Sequence, residues 1–152
     1  MVSPLRTQVP PLCAEVPPRV TTILFVDSHD AERQYWVERL KVCSYEYRIL
    51  ETQSIESGLN LYETQSIDCV VLELDLHDSS GFSLLVRLVP RVYKPQVAVV
   101  VLTRLTLLPL CELARRNGAQ VVLTKHRASG DDLDRAIRKA IAIVGPKKQR
   151  AM

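Results

Sequence analysis

Residues 68–82 read DCVVLELDLHDSSGF, Asp68 to Phe82. Cys69 to Leu72 is a short unbroken apolar run with β-branched residues at its centre, the pattern of a strand covered on both faces in a parallel sheet. Glu73 ends the run, where its carboxylate leaves the sheet at the carboxyl edge. Asp75, His77, Asp78, Ser79, Ser80 and Gly81 follow as a polar, turn-forming segment. Ligands and chemistry of open α/β sheets gather at that edge, so this loop marks the expected working end of the domain.

The chain on either side repeats the same unit. Thr22 to Val26 is a first buried strand, ending in Asp27-Ser28-His29-Asp30 with Asp30 as the expected N-cap. Ala31 to Val42 has helical spacing in Tyr35, Trp36, Leu40 and Val42. Tyr45 to Glu51 alternates as an edge strand does, and Ser54 caps a second helix to Glu63, with Ile55, Leu59 and Leu61 or Tyr62 on one face. A third helix runs from Gly81 to Val89 and stops at Pro90. Val97 to Leu102, closed by Thr103, is the most apolar strand and is expected inside the sheet. Leu108 to Arg116 is a fourth helix, with Pro109 in its first turn and Asn117-Gly118 as its stop. Val121 to Thr124 is a fifth strand with Lys125 at its carboxyl end. Ser129, Asp131 and Asp132 open the last helix, whose apolar face is Leu133, Ala136, Ile137, Ala140, Ile141 and Val144.

Strands alternating with helices imply a parallel sheet, because each parallel crossover needs a helix and turns right-handed. The expected fold is α/β, a flavodoxin-like doubly wound five-stranded parallel sheet of order 2-1-3-4-5 with helices on both faces. A Pro-rich arm, residues 1–20, holding Pro4, Pro10, Pro11, Pro17 and Pro18, precedes the domain at 21–145, and a basic tail, 146–152, follows it. No output domain is expected after the tail.

Composition narrows the function. Aromatic residues are 5% of the chain against 47% hydrophobic, so aliphatic side chains fill the core and an aromatic binding groove is not expected. The net charge of +3 lies in the ends: without Arg6, Arg19, Lys147, Lys148, Arg150 and Glu15, 15 basic and 16 acidic residues remain. A nearly neutral body is a poor match to a phosphate backbone, which argues against nucleic-acid binding. Cys13, Cys43, Cys69 and Cys111 have no metal-ligand or redox spacing and read as free thiols, three of them in core elements, in a reducing cytosol. No apolar stretch is long enough to cross a bilayer, and prolines break the N-terminus where a signal peptide would need an apolar run. A cytoplasmic protein without membrane contact is expected.

Asp27, Glu73, Thr103 and Lys125 end strands that this topology makes neighbours, so their side chains converge on one pocket. An acid that takes a phosphoryl group needs a cation for the incoming oxygens, a hydroxyl to bond one of them, and further carboxylates for Mg²⁺. The strand, acid, Asp-containing loop and Gly81-Phe82 helix start resemble the phosphoacceptor segment of two-component response-regulator receiver domains. The resemblance spans Thr21 to Val144 and includes the Gly118-Ala119 pair before the fifth strand. It implies Glu73 at the phosphoacceptor position, Thr103 as the switch hydroxyl, Lys125 as the phosphate-pocket lysine, and Asp27 with Ser28 as the acidic pocket.

The departures from that pattern carry the functional reading. Glu73 stands for the family's acceptor Asp, Ser28 for its second acid, Val122 for its switch aromatic and His126 for the proline after the lysine. The added methylene moves the carboxylate by about 1.5 Å, and displacements of about 1 Å cost on the order of a hundredfold in a positioned reaction. A neutral Ser28 removes one charge from the site, so Asp27, Glu73 and Asp75 are weak Mg²⁺ candidates and no resident cofactor is expected. A direct Glu73 to Lys125 ion pair is expected to fix the pocket without phosphorylation. The resulting expectation is a stand-alone atypical receiver, not an enzyme. It binds a protein partner such as a histidine kinase or another regulator, with a homodimer through the fourth helix, fifth strand and fifth helix as a further option.

Two alternatives remain. A working phosphoacceptor would use Glu73, Asp75 or Asp78, taking its phosphoryl group from a histidine kinase with Mg²⁺. A metal-binding module would use the loop histidines His29, His77 and His126, since imidazole and carboxylate suit Zn²⁺. A hydrolase lacks a Gly-x-Ser-x-Gly elbow, and the loop from Ser28 to Glu32 has no glycine with which to cradle a cofactor phosphate.

Overall fold

The computed structural model describes residues 20–43, 46–77 and 79–145. Among them, five strands alternate with five helices: β1 (Thr21–Val26), α1 (Asp30–Lys41), β2 (Tyr47–Thr52), α2 (Ile55–Thr64), β3 (Cys69–Leu72), α3 (Gly81–Leu88), β4 (Ala98–Thr103), α4 (Leu108–Arg116), β5 (Val121–Thr124) and α5 (Gly130–Val144). The strands form one sheet of order β2-β1-β3-β4-β5, every pair parallel. The expected flavodoxin-like doubly wound fold is therefore present. The Pro-rich arm through residue 19, Tyr45, Asp78 and the basic tail lie outside the described residues.

Two-residue periodicity sends alternate side chains of each strand to opposite faces. Ile23, Phe25, Cys69, Val71, Ala98, Val100 and Leu102 pack against Trp36, Val37 and Leu40 of α1 and Leu133, Ala136, Ile137 and Ala140 of α5. Leu24, Val26, Val70, Leu72, Val99 and Val101 meet Leu84, Leu85 and Leu88 of α3, with Ala114 of α4 and partly buried Ile55, Leu59, Leu61 and Tyr62 of α2. Both faces of β3 and β4 are thus covered, which is why their sequences are continuous apolar runs rather than alternating ones.

Strand and helix ends follow the expected chemistry in most places. Ser54, Ser80 and Ser129 cap α2, α3 and α5, and Ser129 with Asp132 closes a capping box. Gly118 adopts φ +113°, and a Cβ there would lie 2.6 Å from Val89, so only glycine ends α4 in this way.

The first helix departs from expectation. His29, not Asp30, is its N-cap, and His29 makes no side-chain capping bond. The His29 carbonyl accepts the first helical bond, from Arg33 N–H at 2.8 Å, and its ring Nδ1 is committed to Asp27 Oδ1 at 2.9 Å, while Asp30 lies inside the first turn and pairs with Arg33 at 3.0 Å. The buried face is Arg33, Trp36, Val37 and Leu40, whereas Tyr35 and Val42 are exposed. Tyr35 instead stacks under the Arg39 guanidinium, 4.4 Å from the ring centroid. Of the three cysteines expected in core elements, Cys69 and Cys111 are buried and Cys43, just past the end of α1, is only partly so.

Candidate functional site

The register of the sheet aligns the strand ends. Val26 faces Leu72, Leu72 faces Val101, and Thr103 faces Thr124. The ladder then continues one step past the strands: Asp27 N–H donates to Thr52 O (3.0 Å), Glu73 N–H to Val26 O (3.0 Å) and Lys125 N–H to Thr103 O (2.8 Å). These bonds hold the backbones of Asp27, Glu73 and Lys125 on the sheet rather than on free loops.

Behind Glu73 the chain turns tightly. Gly81 N–H donates to Leu74 O at 2.8 Å, Asp75 and Ser80 form an isolated bridge, and a Cβ on Gly81 would stand 2.3 Å from the Glu73 carbonyl oxygen. Gly81 is therefore required for α3 to start against the exit of β3.

Glu73 is 1% exposed and its carboxylate is saturated. Oε2 accepts from Thr103 Oγ1 at 2.5 Å and from Asp75 N–H at 2.9 Å. Oε1 accepts from Arg104 N–H at 3.0 Å and lies 2.9 Å from Lys125 Nζ. A carboxylate offers about four lone-pair sites, and each here faces a donor.

Lys125 reaches further. Its Nζ donates to Asp27 Oδ2 at 2.7 Å and to Glu32 Oε1 at 2.6 Å. Burial alone would lower the Lys125 pKa, but the hydrogen bonds to Asp27 and Glu32 and the charge of Glu73 outweigh it and hold the ammonium above the usual lysine range. For Glu32 too, burial pushes its carboxyl up, and the bond and charge of Lys125 with the charge of Arg104 bring it below its usual value.

The remaining residues surround this group. Asp27 is fully buried, and its Oδ1 takes both the N–H and the Nδ1 of His29, each at 2.9 Å. Ser28 Oγ accepts from His77 N–H at 2.9 Å and so braces the β3–α3 loop. Asp75 is half exposed, with its side chain 3.9 Å from Arg104.

The histidines do not converge as a set. The His29 and His77 rings meet edge to face at 4.9 Å, and His126 lines one groove with Leu108, Val122 and Arg127 and another with Glu32, Arg104 and Lys125. Among the described residues, the metal-capable cluster is Asp27, His29, Glu32 and Glu73, with ligand atoms within 4.8 Å of one another, and neither His77, His126 nor Asp75 belongs to it.

Three participants were not among the sequence candidates. Glu32 and the Arg104 N–H complete the pocket, and Arg33, 7% exposed, donates to Asp27 O at 2.6 Å and to Glu51 at 2.9 Å. Arg33 had a legible signal: it shares the spacing of Trp36, Val37 and Leu40, an arginine on an otherwise apolar face. Glu32 lies in the first turn of a helix that starts beside Asp27, which also places it at the carboxyl edge.

Residues 23–138, well over half of the chain, match the family described as the response regulator receiver domain. The chain belongs to that family. Among solved structures, a receiver domain protein from Clostridium thermocellum is similar with 26% identity and a TM-score of 0.65, covering 88% of this chain and 100% of the other. The signal receiver domain of an HD domain-containing protein from Pseudomonas fluorescens has 25% identity and a TM-score of 0.72, covering 83% and 98%. A response regulator from Burkholderia pseudomallei, solved with a phosphorylated aspartic acid, a calcium ion and citrate, has 20% identity and a TM-score of 0.68, covering 82% and 70%. No curated protein matches the sequence.

Receiver domains are signalling modules of two-component systems and bind Mg²⁺ at this edge, and the acidic cluster of this receiver is compatible with weak Mg²⁺ binding. The arrangement tests how well the ion fits. Mg²⁺ needs carboxylate oxygens in a strict octahedral shell. Here every Glu73 oxygen is engaged, Asp27 is shared between His29 and Lys125, and Ser28 supplies a hydroxyl already committed to His77. The residues as arranged do not make such a shell.

Proposed function

We propose that this receiver is a protein-binding module of two-component signalling whose pocket is held by Glu73 rather than by a transferred phosphoryl group. One observation carries the reading. The Glu73 carboxylate collects a hydroxyl from Thr103, a charge from Lys125 and backbone N–H groups from Asp75 and Arg104, the donor types an acyl phosphate's oxygens would require. The resemblance gives Thr103 the role of bonding a phosphoryl oxygen after transfer, and in this chain the Glu73 carboxylate already takes that hydroxyl. Val122 in place of the switch aromatic fits the same reading, since it has no ring to rotate with Thr103.

The partner is a histidine kinase or another regulator in the cytoplasm, met through the face of α4, β5 and α5. That face supports the reading with exposed Leu107, Leu108 and Leu113 and a groove of about 510 Å³ floored by Val122 and Leu123 between Leu108, Cys111 and Ala128. Incubation with a small-molecule phosphodonor and Mg²⁺, followed by intact-mass measurement, tests the proposal. An unchanged mass is expected. A stable phosphoryl adduct mapped to Glu73, Asp75 or Asp78 would establish the competing function, a working phosphoacceptor.

A further inference from the structure

An ammonium group has three N–H donors and no acceptor. Lys125 Nζ has three carboxylates around it: Glu32 at 2.6 Å, Asp27 at 2.7 Å and Glu73 at 2.9 Å. They come from three separate elements, the first turn of α1 and the ends of β1 and β3, and the lysine side chain itself is 9% exposed. Glu32 cannot swing away at no cost, because its other oxygen faces Arg104 Nη2 at 3.3 Å. Asp27 is fixed from behind by His29 on Oδ1 and by Arg33 on its carbonyl.

Three of the four members of the metal-capable cluster, Asp27, Glu32 and Glu73, are therefore the carboxylates that hold the ammonium, while the fourth, His29, sits behind Asp27 on its Oδ1. Ser28 leaves the β1 end with one carboxylate, and Glu32 brings a second in from the helix.

We propose that Asp27, Glu32 and Glu73 form a cation site whose resident is the chain's own Lys125 ammonium, so that a divalent ion binds only by displacing it. Glu32 is the positioning residue of this site. A +1 charge built into the chain needs no supply from solution, and its three contacts tie β5 to α1, β1 and β3 at one point. The pocket then keeps its shape irrespective of Mg²⁺ concentration, which suits a module that presents a constant face. The inference rests on Glu73 being a fixed member of the pocket, yet the two readings fail separately. An acyl phosphate on Glu73 overturns the earlier one, and tight metal binding by the unaltered chain overturns this one.

Mn²⁺ is the probe, followed by the paramagnetic resonance signal of the free ion and by competition with Mg²⁺. The unaltered chain should leave Mn²⁺ largely free at submillimolar concentration. Lys125→Met should bind it more tightly by about tenfold or more, within the 5- to 150-fold range of ordinary linkage between two ligands. Adding Glu32→Gln to Lys125→Met should remove most of that gain, since losing a carboxylate near a metal costs roughly 10- to 100-fold. Equal affinity of the unaltered chain and Lys125→Met would overturn the proposal, as would a gain indifferent to Glu32. If Lys125→Met does not fold, the ¹⁵N resonance of the Lys125 ammonium in the unaltered chain decides. It should be slow to exchange, persist in millimolar Mg²⁺ and weaken in Glu32→Gln. Its loss on submillimolar Mg²⁺ would sink the idea.

Discussion

Glu73→Gln keeps the size of the side chain and removes one of the charges that Lys125 faces at 2.9 Å. Two other carboxylates remain on the lysine, so the expected cost is about 1–3 kcal/mol, that of a buried charge-assisted contact, read as a lower melting temperature. Unchanged stability together with unchanged partner binding would count against Glu73 as the fixed centre. The same pocket sets a pH dependence. Glu32 has a folded pKa below its ordinary 4.5, so its contribution is present above that value and is lost as pH falls through the depressed one. Lys125 has a folded pKa above its ordinary 10.5, so its contribution is complete below that value and is lost as pH rises through the raised one. Thermal melts across pH should show both limbs, and Glu32→Gln should flatten the acid limb. Of these residues, Asp27, Glu73, Thr103 and Lys125 were legible in the sequence because each ends a strand of a recognisable alternation. Glu32 was not, because an acid in a first helical turn is ordinarily read as a charge near the helix dipole, and nothing local says that a lysine from the fifth strand will reach it.

Element bounds match the sequence pattern wherever one local signal dominates. β3, α4 and β5 have the bounds expected from apolar runs, from Pro109 near the start of α4 and from Gly118 past its end. The α1 face departs from the expected one because Tyr35 and Val42 are apolar by type but exposed, while Arg33 is polar by type and buried for its bonds to Asp27 and Glu51. Binary pattern assigns faces by residue class, and here tertiary partners override class. Two substitutions test how elements support the site. Gly81→Ala puts a Cβ into the Glu73 carbonyl, so it should shift the β3–α3 loop and disturb the Glu73 and Thr103 resonances, with a stability loss of about 1–3 kcal/mol from overpacking. Ser129→Ala removes the α5 cap 3.1 Å from the Asp132 N–H, and should cost about 1 kcal/mol while leaving those resonances in place.

At the scale of the molecule, the sheet separates two jobs. Its interior carries stability on two apolar faces, and its carboxyl edge carries the charged pocket. The exposed α4 leucines belong to neither. Leu108→Glu, at a residue 76% exposed, should change stability by no more than about 0.5 kcal/mol. If the α4–β5–α5 face joins two copies, the same substitution should halve the mass measured by light scattering at concentrations where the unaltered chain is dimeric. No helix among the described residues is long and apolar enough to cross a membrane. By itself the sequence determined the order of the elements, the doubly wound topology and the edge at which the polar strand ends meet, because periodicity and turn residues act within a few positions of each other. The tertiary structure alone decided which carboxylates share Lys125 and which of the histidines touch. Those contacts join residues up to 98 positions apart, and a difference of an ångström in where a side chain ends, invisible to any pattern, determines whether the charges meet.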